Sequence, residues 1–229
     1  MLELVGTLLP LGLGIALSPF PIIMIVLMLS TARARANGLL FTAGWLVGIS
    51  ALVTVPALLL DVVEDYSEET SDVVAGIVRI LLGLLLLFFA YRKIMKRARS
   101  SSSGDESGDD ELPGWMASTE STTPLKALRS GLLLSAANPK NLALAAAAGV
   151  TVTAAHLGAT ADFWGIVIFV VIASSTVLVP VAGYLIVPAR MDAPLQAVKE
   201  WMSINHGIMT ALLLLVFGVV LIGNGLGSF

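Results

Sequence analysis

The chain contains no cysteine among its 229 residues. Disulfide bonds, thiol catalysis, thiolate metal sites and a dithiol electron carrier are therefore excluded. Charged residues are also scarce, at 13%, whereas about a quarter of the residues of a soluble domain are charged. Hydrophobic residues make up 57% of the chain, and several apolar runs exceed the roughly 20 residues that cross about 30 Å of hydrocarbon. This composition predicts an all-α, polytopic membrane protein.

Acidic side chains are absent from the middle of every apolar run. A divalent-cation exporter requires oxygen ligands at that depth, so this class of transporter is disfavoured and no metal site or cofactor is expected. The sequence has no His pair with metal-binding spacing and no Gly-rich, Lys-containing phosphate loop. We therefore expect neither an enzyme nor a protein that binds nucleic acid.

The apolar residues fall into six runs, which polar links separate. The runs cover approximately residues 4–29, 38–60, 73–91, 125–155, 163–187 and 204–226. The stretch 100–124 is rich in Ser, Gly, Asp and Glu, a composition typical of a disordered segment. The chain is thereby divided into a first three-helix unit (1–99), a disordered linker (100–124) and a second three-helix unit (125–229). Residues 188–203 are predicted to lie at the membrane interface.

Basic residues mark one side of the membrane. When the links are assigned to alternate sides, one side holds eleven of the thirteen Lys and Arg residues and the other holds none. The two that remain, Arg79 and Lys140, lie inside apolar runs. The positive-inside rule predicts a multi-pass plasma-membrane protein with both termini outside and the loop 92–129 in the cytoplasm.

Proline positions relate the two halves of the chain. Pro19 interrupts the first run and Pro139 the fourth, 120 positions later, while Pro56 and Pro180 fall late in the second and fifth runs, 124 positions apart. Two successive units of three spans have opposite orientations, as in secondary transporters whose binding sites form at broken helices near the midplane. We predict six transmembrane helices in two inverted three-helix repeats, with the first and fourth helices broken.

The break in the fourth run carries Asn138, Pro139 and Lys140, all of which are costly in an apolar helix. A charge at the centre of a membrane helix costs roughly 2.5–3.5 kcal/mol on insertion scales, and each proline frees the carbonyl four residues earlier. No acidic residue lies at similar depth, so three roles are open for Lys140. It could meet an anionic substrate, bind carbonyls freed near Ser18, or carry a proton; a purely structural bond to carbonyls is the alternative.

Other polar or helix-breaking residues join Lys140 as candidates for a substrate site between the two breaks. The full candidate set is Ser18, Pro19, Pro21, Asn138, Pro139, Lys140, Asn141, Ser174, Ser175 and Thr176. Arg79 lies near the outer surface, where it is predicted to pair with Asp61 or Glu3. His206, near the cytoplasmic end of the sixth run, is a candidate relay, although a packed or solvated His is the simpler interpretation.

The stretches Ala16–Ile23, with its Ser-Pro-Phe-Pro, and Asn138–Leu142, with its Asn-Pro-Lys, resemble the LysE (lysine exporter) superfamily. Together with Ala32–Gly38, they are similar to its GAP or Sap branch of peptidoglycolipid- and sulfolipid-addressing proteins. The resemblance covers nearly the whole chain outside residues 100–123. It implies export of envelope glycolipids. The amino-acid exporters of the superfamily typically carry Gly-Pro where this chain has Ser18-Pro19, which disfavours an amino-acid substrate.

These observations lead to one main hypothesis, a transporter that exports an anionic or amphiphilic envelope glycolipid or related metabolite by alternating access. An exporter of amino acids or other small solutes is the first alternative. A non-transporting assembly factor for a lipid-export machine is the second. The expected partners are the lipid bilayer and the transported molecule, and a homodimer or a larger lipid-export complex stays open.

Overall fold

A computed structural model describes residues 1–64, 68–103 and 122–227, which form eight helices and no strand. The helices are α1 (Leu2–Ala16), α2 (Pro19–Leu29), α3 (Ala34–Glu64), α4 (Glu68–Ser103), α5 (Pro124–Ala136), α6 (Pro139–Thr153), α7 (Ala159–Ile186) and α8 (Pro188–Leu226). Within the predicted linker, residues 100–103 continue α4 and Pro124 begins α5. Residues 104–121 lie outside the described part of the chain.

Both predicted helix breaks are present. α1 ends at Ala16 and α2 begins at Pro19, and α5 ends at Ala136 before α6 begins at Pro139. Proline suits the first position of a helix because its missing N–H would have no partner there and its φ is already helical. The axes of α1 and α2 differ by 58°. Each proline therefore ends one helix and starts the next.

Four helical segments of the described chain are long and apolar enough to cross a membrane, and the number is five if the bent α1–α2 pair forms one span. The four are Ala34–Val62, Asp72–Lys96, Ala159–Ile186 and Gly207–Leu226. Only 22 to 39% of each apolar window is buried inside the bundle. The remaining apolar surface faces outward, where only hydrocarbon would accommodate so large an area. The all-helical, multi-pass membrane prediction is thereby confirmed.

The last helix is longer than the sequence pattern indicated. Residues 188–203, predicted as a separate interfacial segment, are continuous with the final apolar run in one helix, Pro188–Leu226. Pro188 occupies the first turn, where no hydrogen bond is lost, and Pro194 removes only one backbone donor near the start of the helix. Neither proline breaks the helix.

The two halves of the chain interlock. α4 packs along α8, α3 along α5 and α6, and α1 along α7. The α3–α5 contact is close enough for backbone to meet backbone. A Cβ atom on Gly131 would overlap the carbonyl oxygen of Phe41, and one on Gly44 would overlap that of Leu128. Small residues permit such approach between membrane helices, which lack a hydrophobic driving force between them.

We expect Gly131→Ala to destabilise the protein by roughly 1–3 kcal/mol, because a buried methyl group must displace the backbone of α3. Thermal unfolding in detergent, followed by gel filtration after heating, measures this effect. Gly223→Ala is the matched control, since a Cβ there meets nothing within 4 Å. An unchanged midpoint for Gly131→Ala would contradict the close α3–α5 contact.

Candidate functional site

The end of α1 is completed by side chains from the second half of the chain. The Ser18 N–H donates to the carbonyl of Ile15 at 3.0 Å, so it does not take its α-helical acceptor, the carbonyl of Gly14. Lys140 Nζ donates to Gly14 O instead. Thr176 Oγ1 donates to the carbonyl of Ala16 at 2.6 Å. The last carbonyls of a helix need such donors because they have no intrahelical partner.

Lys140 lies deep in the bundle, with 2% of its surface exposed. A buried amine is costly unless it is hydrogen-bonded, and a cation near the C-terminus of a helix is favoured by the helix dipole by roughly 0.3–1 kcal/mol. The bond to Gly14 meets both requirements. This hydrogen bond matches one of the roles that the sequence left open for Lys140, the binding of a carbonyl freed near Ser18.

The second break is satisfied mainly from within its own half. Asn141 Nδ2 donates to the carbonyls of Leu134 and Ser135, at 3.3 Å each. The carbonyl of Ser135 is the one that Pro139 frees. Asn141 Oδ1 also accepts a 3.4 Å hydrogen bond from Ser18 Oγ. One buried amide therefore caps α5 and links the two breaks.

An open cavity of about 490 Å³ borders the second break. This volume falls within the roughly 300–1,000 Å³ typical of ligand sites. The lining residues are Phe20, Phe89, Arg92, Lys93, Lys96, Leu133, Leu134, Ala137, Asn138, Pro139, Lys140, Thr210 and Leu214. Among these described residues there are four Lys and Arg side chains and no carboxylate. The rest of the wall is mostly apolar, so the cavity combines an apolar surface with basic side chains.

The cavity lies where α4 and α5 separate. Both helices contribute to its lining, but they do not form a packed interface with each other. Leu133 of α5 borders the cavity and is 63% exposed. Phe89 and the basic residues of α4 also border it. The part of the cavity between these two helices is therefore bordered by both apolar and basic side chains.

The structure places the predicted site residues in three groups. Asn138, Pro139 and Lys140 line the cavity. A second group is buried at or beside the breaks, away from that lining: Ser18, Pro19, Pro21 and Asn141. The third group lies on α7: Thr176 caps α1, Ser175 is half-buried, and the buried Ser174 Oγ has no hydrogen-bond partner in the described structure.

Arg79 lies on α4 and donates a 3.3 Å hydrogen bond to Thr151 Oγ1 on α6. Asp72, on the same helix, is close enough to interact with it electrostatically. The predicted partner Asp61 is exposed near the end of α3. The side chain of His206 lies outside the described part of the structure, so its predicted relay role stays a prediction.

Two features of the candidate site were not identified in the sequence. One is the acceptor role of the Gly14 carbonyl, which the position of Pro19 hints at because a helix ending before that proline leaves nearby carbonyls free. The other is the presence of Arg92, Lys93 and Lys96 in the cavity wall. Their clustering was apparent, but it indicated only the orientation of the chain in the membrane.

Comparison with protein families identifies a match over nearly the whole chain. The model of the family described as Sap, sulfolipid-1-addressing protein, matches residues 8–227. No curated protein and no solved structure was found to match the chain. The matched region includes both helix breaks and every residue that lines the cavity.

We expect Thr176→Val to destabilise the protein by about 0.6 kcal/mol, the mean measured for hydrogen bonds between membrane helices, because the Ala16 carbonyl loses its donor. The thermal midpoint in detergent measures the loss. Thr176→Ser should restore most of the stability, and Ser175→Ala on the same helix should leave it unchanged. If Thr176→Val and Ser175→Ala behave alike, the hydroxyl of Thr176 does not cap α1.

Proposed function

We propose, since the chain belongs to the sulfolipid-1-addressing family, that it exports an anionic or amphiphilic envelope lipid, or a related metabolite, across the membrane by alternating access. In this proposal the chain is a transporter without enzymatic activity. The observation that carries the proposal is the open, mostly apolar cavity that reaches Lys140 at the break between α5 and α6. The family's description points in the same direction, towards a sulfated lipid.

The chemistry of the cavity supports an amphiphile over a small polar solute. A site for a small solute surrounds its ligand with convergent polar groups in a pocket that buries most of its surface. Here the cavity is open, and its apolar wall includes Phe89, Leu133 and Leu214. A lipid tail matches that wall, and an anionic headgroup matches the cations. In this arrangement the tail contacts apolar side chains and the headgroup contacts basic ones.

We further propose that α5 and α6 together form a sixth span and that the bundle is an inverted repeat, as in the LysE superfamily. Exchanging the halves maps α1 onto α5, α2 onto α6, α3 onto α7 and α4 onto α8. The α3–α5 contact then becomes α7–α1, and the α4–α6 contact becomes α8–α2. All four of these helix pairs are in contact, which supports the proposed symmetry.

The proposed orientation has both termini outside the plasma membrane and the cationic end of α4 in the cytoplasm. The distribution of Lys and Arg between the links supports it. With this orientation, the cavity receives its substrate from the cytoplasmic side, and Lys140 lies deeper towards the midplane. The direction of transport is then outward.

The non-transporting assembly factor is a second candidate, because the bond from Lys140 to Gly14 gives this residue a structural role that needs no substrate. Reconstitution separates the two functions. A protein that only escorts a larger machine would move no lipid when it is alone in a liposome.

We expect the purified protein, reconstituted in liposomes of phosphatidylcholine and phosphatidylglycerol, to move a fluorescent anionic lipid between leaflets. Lys140→Met should slow this movement at least about tenfold, since a hydrogen bond to a charged group contributes about 1.5 kcal/mol or more. Dithionite quenching of the fluorophore measures the rate. Arg129→Gln, which removes an exposed cation outside the cavity lining, is the matched control.

Radiolabelled lysine uptake into the same liposomes tests the small-solute alternative. Movement of lysine without lipid would reassign the function to solute export. Inactivity towards both would leave the assembly factor as the better explanation. Full lipid transport by Lys140→Met would refute both anion recognition and proton coupling by this residue.

The orientation has its own test, because the chain has no cysteine and a single introduced thiol is therefore unique. We expect Thr160→Cys, exposed at the start of α7, to react with a membrane-impermeant maleimide in intact cells. Lys126→Cys should react only after the cells are permeabilised. The reverse pattern would invert the proposed topology.

A further inference from the structure

Three cations lie on one wall of the cavity, near the end of the α4 membrane span. Arg92, Lys93 and Lys96 all line it. Arg92 and Lys96 are four residues apart on a helix, a spacing that makes like charges neighbours and is destabilising. The guanidinium of Arg92 also lies 5.9 Å from the centre of the Phe88 ring. The cluster therefore concentrates positive charge at the boundary between the apolar wall and the end of the span.

The positive-inside rule alone does not require this position. It is met by any Lys or Arg in the cytoplasmic links, and Lys126 and Arg129 of α5 meet it from exposed sites that do not line the cavity. The α4 cluster differs from them because the same cavity also reaches Lys140. Its side chains border a space that a ligand can occupy.

We propose that Arg92, Lys93 and Lys96 form a headgroup subsite that binds a sulfate or phosphate ester on a membrane lipid entering from the cytoplasmic leaflet. This inference rests on the proposed transport function and specifies where its substrate is first recognised. The lipid tail lies in the gap between α4 and α5, against Phe89 and Leu133.

Charge and hydration explain why the first contact is made at this cluster. Several cations can replace the water around an ester anion with charge-assisted hydrogen bonds, and the Arg fork can bind two of its oxygens at once. Lys140 is a single buried amine that already donates to Gly14. An anion reaches Lys140 only after losing more of its water, so the α4 cluster supplies the binding energy before that step.

The test compares short-chain fluorescent phosphatidic acid with the matching phosphatidylcholine, each titrated into the full-length protein in a neutral detergent. We expect the protein to prefer phosphatidic acid at least about tenfold, the ratio that 1.4 kcal/mol of charge-assisted hydrogen bonding gives. The triple variant Arg92→Gln, Lys93→Gln and Lys96→Gln should bind both lipids alike. The double variant Lys126→Gln and Arg129→Gln should keep the wild-type preference.

A second triple variant, Arg92→Lys, Lys93→Arg and Lys96→Arg, keeps all three charges and controls for misfolding or altered membrane insertion. It should retain most of the preference for phosphatidic acid. If the Gln triple variant still prefers phosphatidic acid as the wild type does, the inference is wrong. If the wild type binds both lipids equally, the subsite fails while the proposed transport function stands. If the wild type binds neither lipid, both the subsite and the proposed lipid transport are refuted.

Two further measurements identify the source of the anion. Leu133→Trp fills the gap between α4 and α5 and should weaken binding of both lipids, whereas Leu132→Trp on the neighbouring, exposed position should not. If Leu133→Trp has no effect, the cluster acts on the bilayer surface and the cavity subsite is refuted. Inorganic phosphate should compete only weakly; competition as strong as that of phosphatidic acid would assign the site to a free anion instead.

Discussion

The structure depends on one constraint, which is that a backbone carbonyl inside a membrane protein must find a donor when its helix ends there. α1 and α5 both end inside the bundle, and their terminal carbonyls accept hydrogen bonds from Lys140, Thr176 and Asn141. Two of these three donors, Lys140 and Asn141, are among the most buried polar side chains of the described structure. Residues that are costly in an apolar helix are therefore the ones that the broken helices require.

The two breaks are satisfied in different ways. The end of α5 is capped by Asn141, which lies on the helix that follows directly, so this bond moves with its own half. The end of α1 is capped by Lys140 and Thr176, which belong to the other half. A relative displacement of the halves would leave the α5 cap intact and separate Lys140 from Gly14. Lys140 also borders the cavity, so in the proposed transport cycle a molecule in the cavity would be the candidate replacement partner.

Much of this arrangement could be predicted from the sequence. Pro19, Pro139 and Lys140 have local costs that are visible in any apolar run, and they located both breaks and the buried cation. The partners could not be predicted, because Gly14 and Ala16 offer only backbone carbonyls and their donors come from distant helices. Nor could the cavity, since a gap between α4 and α5 is a property of packing. Ser174 and Ser175 stay predicted members of a substrate site between the two breaks, and neither borders the cavity beside α4.

For the proposed transport function, the distribution of charge in the cavity constrains which substrate could pass through it. An anion moving from the end of α4 towards Lys140 loses hydration, while each remaining charge interaction becomes stronger as the surroundings become less polar. The cavity has three basic side chains at its end near α4, where water is available, and one, Lys140, where water is scarce. Fewer basic groups are therefore needed at the end where each interaction is stronger. A small anion would still leave the apolar wall of Leu133 and Leu214 exposed to water. An anionic headgroup with a hydrocarbon tail covers that wall as it advances, and so it satisfies both surfaces of the cavity at once.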